Sequence, residues 1–186
     1  AMVAAAVFFF IERDRVAGKW KTSLTVAGLI QLIAAVHYFY MRGVWVNTGE
    51  TPTVYRYIDW LLTVPLQMIE FYLILAAITV VAAGVFWRLL IGTLVMLIAG
   101  FMGEAGLADA TICFVIGLAG WGYILYEVFS GEAGQINAAS ANESCQSAYN
   151  GMKLIVSVGW AIYPLGYFLG YLNGAVSADS LNLVYN

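Results

Sequence analysis

Between residues 55 and 72 the chain reads YRYIDWLLTVPLQMIEFY, an apolar run interrupted by Arg56, Asp59, Gln67 and Glu70. A helix advances about 100° and 1.5 Å per residue. With Asp59 at zero, Thr63 falls at roughly 40°, Gln67 at roughly 80°, Glu70 at roughly 20° and Arg56 at roughly 60°. The polar groups therefore share one stripe of one helix. Its two carboxyls stand about 16 Å apart along the axis, about half the thickness of a hydrocarbon core. An ionisable group inside a membrane costs at least about 2.5 kcal/mol, and normally faces the bundle interior, where it pairs or relays protons. The stripe reads as a proton path with two stations. The plainer alternative is a structural ion pair of Arg56 with Asp59, plus an interfacial Glu70.

That reading needs a membrane, and the composition supplies one. The chain has 186 residues, of which 62% are hydrophobic and 10% charged, with mean hydropathy +0.84. A soluble domain carries about 25% charged residues. The chain is thus expected to be an all-α membrane protein, and about 20 apolar residues per crossing allows six or seven spans. A net charge of −3 argues against nucleic acid as a partner, because its binders carry basic patches. Cys113 and Cys145 have no metal or redox motif nearby and read as free thiols; no metal site is expected.

The opening AMVAAAVFFF lacks the basic segment of a cleavable leader and reads as the inner end of a first span, residues 1–10. A basic loop follows at 11–21. Further spans are expected at 20–41, 54–77, 85–104, 108–129 and 151–172, with a seventh beginning at 181–186. Residues 42–53 read as a polar turn. Residues 131–150, rich in Ser, Asn, Ala and Gly, read as the longest loop, and 177–180 as part of the last. Pro65 and Pro164 should kink their helices. Arg13, Arg15, Lys19, Lys21, Arg88 and Lys153 fall on one side, which the positive-inside rule makes cytoplasmic. Asp59 then lies toward the outside and Glu70 toward the cytoplasm. No repeat relates the two halves, which weakens an inverted-repeat transporter reading.

His37, the only histidine, falls in the outer half of the second span and could sit level with Asp59. Trp60, Trp121, Trp160 and Tyr163 lie at central depth, where they suggest a cage around a flat apolar ligand, completed by Met96 and Gly100. Taken singly, each is ordinary packing. Glu104, Asp109, Glu127, Glu132 and Asp179 stand near helix ends and read as solvated faces or caps. Asn142-Glu143-Ser144 matches a glycosylation sequon but falls in an expected cytoplasmic loop, so it is set aside.

The third span, RYIDWLLTVPLQMIEFYLIL, resembles the microbial rhodopsins, and within them the proteorhodopsin group. The segments WRLLIGTLVMLIAGFMGE, WGYILYEVF and GWAIYPLGYFLG extend the resemblance over the whole chain. The family's pump motif places an Asp, a Thr and a Glu at the spacing of Asp59, Thr63 and Glu70. The resemblance implies a single rhodopsin-like domain over 1–186, a seven-transmembrane-helix bundle with its first and seventh helices truncated in this chain. It implies all-trans retinal, held as a protonated Schiff base by a lysine midway along the seventh helix, and light-driven outward proton pumping. None of Lys19, Lys21 and Lys153 matches that lysine, so both ends of the parent protein are expected to extend beyond this chain.

By the same resemblance Asp59 is counterion and proton acceptor, and Glu70 is the cytoplasmic proton donor. Arg56 gates release to the outside, and His37 hydrogen-bonds Asp59. Gln67 is the spectral tuning position, glutamine going with blue absorption. Trp60, Thr63, Met96, Trp121, Trp160 and Tyr163 line the retinal pocket. The implied setting is a bacterial inner membrane, with the lipid bilayer as partner and rings of five or six copies. A carboxylate beside a cation is stabilised by Coulomb attraction, and a carboxyl in a dry half-channel should hold its proton until needed, which suits these roles. Two rivals stand beside this reading. One is a photosensory rhodopsin signalling through a partner, which would have no use for a fast donor such as Glu70. The other is a non-photochemical proton-coupled carrier.

Overall fold

The computed structural model describes residues 1–177 and Ser180, and every regular element among them is helical. Helix α1 spans Met2–Glu12 and runs through a 3₁₀ turn at Arg13–Arg15. There follow α2 (Trp20–Thr48), α3 (Thr53–Ile78), α4 (Ala83–Glu104), α5 (Ala110–Phe129), α6 (Glu132–Ser140), α7 (Glu143–Leu154) and α8 (Ile162–Tyr167). Wider π turns at Ile155–Gly159 and Phe168–Leu172 join the last pieces into one rod. Five stretches are long and apolar enough to cross a membrane: Trp20–Thr48, Thr53–Ile78, Ala83–Glu104, Ala110–Ser140 and Glu143–Leu172. Helix α1 takes the place of the first expected span. The seventh, at 181–186, and Asp179 lie outside the described residues.

Local chemistry sets the helix ends. Helix α2 runs past the expected stop near residue 41 and ends at Gly49, whose φ of +70° suits glycine and whose N–H bonds Trp45 O at 2.9 Å. Asp109 caps α5, its Oδ1 accepting from Ile112 N–H at 2.9 Å. Lys19 Nζ reaches Ala76 O at 2.9 Å, so a cation closes the last turn of α3.

The stretch 131–150 departs from expectation: it is helical, as α6 and α7, and not a loop. Asn142, from the sequon, is the N-cap of α7 and accepts from Cys145 N–H at 2.9 Å. A polar helix beyond the apolar zone has the composition of a loop, so residue type alone misreads it. Cys145 is buried there, as Cys113 is in α5, and both are free thiols.

Packing is tightest where α4 meets α5. A methyl group on Gly120 would stand 2.9 Å from Met96 N and 3.0 Å from Gly92 O, so the two backbones nearly touch. The dry core lies toward the end of the bundle that carries the basic residues. It joins Met68, Phe71 and Leu75 of α3 with Leu89, Ile124, Val128, Tyr149 and Val156. Phe71 and Tyr149 meet edge to face at 5.0 Å, and Tyr149 Oη donates to Val128 O at 3.1 Å.

Glu127 and Glu132 were placed on solvated faces, and Glu127 proves to be buried. Its Oε2 accepts from Arg88 Nε at 2.9 Å; its Oε1 accepts from Arg88 Nη2 at 3.2 Å and from Ala133 N–H at 3.1 Å. Glu132 Oε2 takes Arg88 Nη2 at 2.6 Å. This clamp ties α4 to the α5–α6 junction, and a charge near a helix end looks solvated only when its partner is unknown. Glu127→Ala should lower stability by about 2 kcal/mol, below the range for a fully buried pair because Arg88 keeps Glu132 and some solvent. Thermal unfolding in detergent measures it, and an unchanged midpoint would show the clamp to be idle.

Candidate functional site

Helix α3 turns its polar stripe inward. Arg56 is 0% exposed, Asp59 2% and Glu70 8%, and Thr63 is buried beside them. Thr63 Oγ1 donates to Asp59 O at 2.9 Å, so the threonine satisfies itself on its own helix. Pro65 is buried within the helix between the two carboxyls.

Asp59 faces a cavity of about 260 Å³. Trp60, Thr63 and Gln67 line it from α3, Met96 and Gly100 from α4, Trp121 from α5, and Trp160 and Tyr163 from the last rod. These residues are remote in sequence, and the bundle brings all of them to one space. Trp60 and Tyr163 meet at 4.9 Å and Trp60 and Tyr57 at 5.2 Å, both near edge to face, giving stiff apolar walls. Asp59 Oδ1 is buried without a well-formed hydrogen bond. His37 Nδ1 approaches it to 3.3 Å but lies closer to Ile33 O, at 3.0 Å. Both neighbours are acceptors, so Nδ1 must carry the proton for either contact to be attractive. The cavity is thus aromatic and apolar with one under-satisfied carboxyl oxygen at its edge, a place shaped for a flat apolar group bearing a cation.

Arg56 and Glu70 lie outside this cavity, toward opposite ends of the stripe. Glu70 Oε1 is hydrogen-bonded by Ser23 of α2, and its Oε2 is buried without a partner. Arg56 forms an ion pair with Glu104 at the end of α4, and its guanidinium carbon lies 5.3 Å from the Trp60 ring centre. Arg56 Nη1 lies 3.4 Å from Thr51 Oγ1.

Glu104 is the correction here. Placed on a solvated face from sequence, its side chain is 7% exposed and receives three donors: Arg56, Tyr57 Oη at 2.8 Å and Tyr171 Oη at 3.2 Å. Donors from two elements, α3 and the last rod, thus converge on one carboxylate of α4. A glutamate closing an apolar helix resembles an ordinary end residue, so only Arg56, a cation needing a buried partner, could have pointed to it. Ser23 was likewise missed, because a lone serine in an apolar helix carries no signal of its own.

A family model described as bacteriorhodopsin-like protein matches residues 1–186. The chain is 63% identical to the blue-light absorbing proteorhodopsin of Gamma-proteobacterium Hot 75m4, covering 100% of this chain and 74% of that one. It is 59% identical to the green-light absorbing proteorhodopsin of Gamma-proteobacterium EBAC31A08, covering 100% and 75% respectively. Among solved structures, the blue light-absorbing proteorhodopsin from Med12 superposes with a TM-score of 0.80 at 57% identity, over 99% of this chain and 82% of that one. An inward polar stripe, an aromatic cavity and an apolar helical bundle are what such a resemblance requires, and this chain belongs to the bacteriorhodopsin-like family of microbial rhodopsins.

Proposed function

We propose that this chain serves a light-driven proton pump, moving protons outward across a bacterial inner membrane. Family membership supports light-driven pumping in general. The observation that carries the finer reading is Asp59, with a buried, under-satisfied oxygen at the mouth of an aromatic cavity and Glu70 further along the same helical stripe.

The residues present fit all-trans retinal, the chromophore of this family. Trp60, Met96, Trp121, Trp160 and Tyr163 would hold its polyene between flat walls, and Asp59 would face its cationic end. The Schiff-base lysine is proposed on the seventh helix and is none of Lys19, Lys21 and Lys153, the three lysines of this sequence. Bound to that lysine, retinal would supply light absorption, and the lysine's own nitrogen, protonated in the Schiff base, would carry the positive charge that Asp59 faces.

The chain's own groups do the rest. Asp59 balances the positive charge at rest and accepts the proton, with His37 close enough to share that carboxylate. Arg56, drawn toward Glu104, stands on the far side of Trp60 as a positive barrier to the proton's return. Glu70, set by Ser23, supplies the replacement proton from the basic end. On the opposite face of the same helix Met68, Phe71 and Leu75 pack into the dry core, which keeps water from bypassing this stretch of α3. The two carboxyls thus work in sequence, one on each side of the cavity.

The direct test adds all-trans retinal to membranes containing the protein extended through the seventh helix. A coloured pigment that acidifies the medium in light is expected; a pigment without acidification would favour the sensory reading, and no pigment would favour the carrier. Gln67 borders the cavity, so its amide dipole lies beside the proposed polyene. Gln67→Leu should shift the visible band to longer wavelength, by the family's rule for this position. A spectrum unmoved by the substitution would remove the tuning role. Rings of five or six copies are proposed on family grounds, and native mass spectrometry from lipid discs should find them; monomer alone would refute them.

A further inference from the structure

We infer that Trp121 is a positioning residue: its indole N–H holds open the π turn at Ile155–Gly159 and so sets where Trp160 and Tyr163 stand in the cavity. In that turn Trp160 N–H reaches back to Ile155 O at 2.9 Å, while Ala161 N–H bonds Ser157 O at 3.2 Å. The Val156 carbonyl between them is passed over. Val156 is 3% exposed, so water is no ready substitute. Trp121 Nε1 takes that carbonyl at 2.8 Å.

The arrangement solves two problems together. An indole N–H is a donor only, and within an apolar wall it needs an acceptor. A π turn has a surplus carbonyl and needs a donor. Each would be an orphan without the other. Were Trp121 unable to donate, the turn could satisfy Val156 O by closing to α register, with Trp160 N–H as the donor. Closure removes one inserted residue and turns everything beyond it by roughly 100°. Tyr163, which now meets Trp60 of α3 edge to face, lies beyond that point. Pro164 leaves the segment free to choose, since it has no N–H to anchor the turn, and Trp160 O is served by Tyr163 N–H at 3.1 Å.

The inference deepens the chromophore reading only where the cavity is read as the retinal site; its geometry stands without retinal. The test uses the full-length protein in lipid, with benzothienylalanine at position 121, which keeps the shape of tryptophan and lacks the N–H. Trp121→Phe serves as a second variant. Solid-state NMR with ¹³C-carbonyl Val and ¹⁵N-indole Trp should show Trp121 Nε1 in contact with the Val156 carbonyl, and a Trp60–Tyr163 ring contact. The benzothienyl variant should move the Val156 carbonyl resonance and lose the Trp60–Tyr163 contact. A variant that keeps the ring contact overturns the inference. So does the absence of the Nε1–carbonyl contact in the unmodified protein. With retinal added, the variant's visible band should shift as the aromatic walls move. If the unmodified protein gains no visible band, the rhodopsin reading fails, while the NMR comparison still decides the role of Trp121.

Discussion

Asp59→Asn should abolish light-driven proton export and move the visible band of the retinal-bound protein to longer wavelength. Asparagine matches aspartate in size, and Asp59 is 2% exposed, so the cavity should keep its shape. What goes is the charge and the basic oxygen. Two opposite unit charges about 4 Å apart attract by about 4 kcal/mol at an effective dielectric constant near 20. Losing that attraction weakens the hold on the positive end of the chromophore in the ground state, narrowing the gap to the excited state. Export stops for a separate reason: an amide does not accept the proton, and His37, also near Ile33 O, is no replacement. Acidifying the unmodified protein until Asp59 is protonated should give the same red shift, and the variant should no longer respond to that acidification. Light-induced pH change in vesicles and a pH-scanned visible spectrum measure both. Sustained export by the variant would remove Asp59 from the path.

The stripe that carries this prediction was legible in sequence because helical spacing is geometry: Arg56, Asp59, Thr63 and Glu70 had to share a face, and all four are buried. The aromatic cage was legible for a different reason, since large rings at central depth are anomalous on a lipid-facing surface. Partners on other helices were not legible. Nothing in the sequence around Glu104 announces that Arg56, Tyr57 and Tyr171 converge on it, and nothing near Ser23 announces Glu70. Such pairings depend on how helices rotate against each other, which small contacts such as Gly92 with Gly120 decide. The helices α6 and α7 were hidden because polar composition fits a cap, a loop and an exposed helix alike. The π turn at Ile155–Gly159 was hidden more deeply. It answers to Trp121, which is 35 residues from Val156.

Glu70→Gln should slow recovery of the photocycle by about 100-fold or more while leaving ground-state colour nearly unchanged. A positioned general acid contributes roughly 10²–10⁴-fold to a proton transfer, and the amide removes it. Colour should survive because Glu70 does not border the cavity, whereas Gln67, one turn away, does. Asp59 can still accept, so the first half of the cycle should run at its normal rate. The delay should fall on the second half, when a proton must reach the cavity from the basic end without the relay that Glu70 and Ser23 provide. A small membrane-permeant weak acid should restore fast recovery by delivering the proton directly, with a rate that rises with its concentration. Ser23→Ala tests the same step from outside the carboxyl. Among the described residues Ser23 is the side chain that hydrogen-bonds Glu70, so its loss should alter the recovery rate without moving the absorption band. Flash spectroscopy on vesicles resolves the two halves. Normal recovery in Glu70→Gln would mean that the proton enters by another route, and a slow recovery that no weak acid rescues would mean that the substitution acts on helix movement instead of on proton supply.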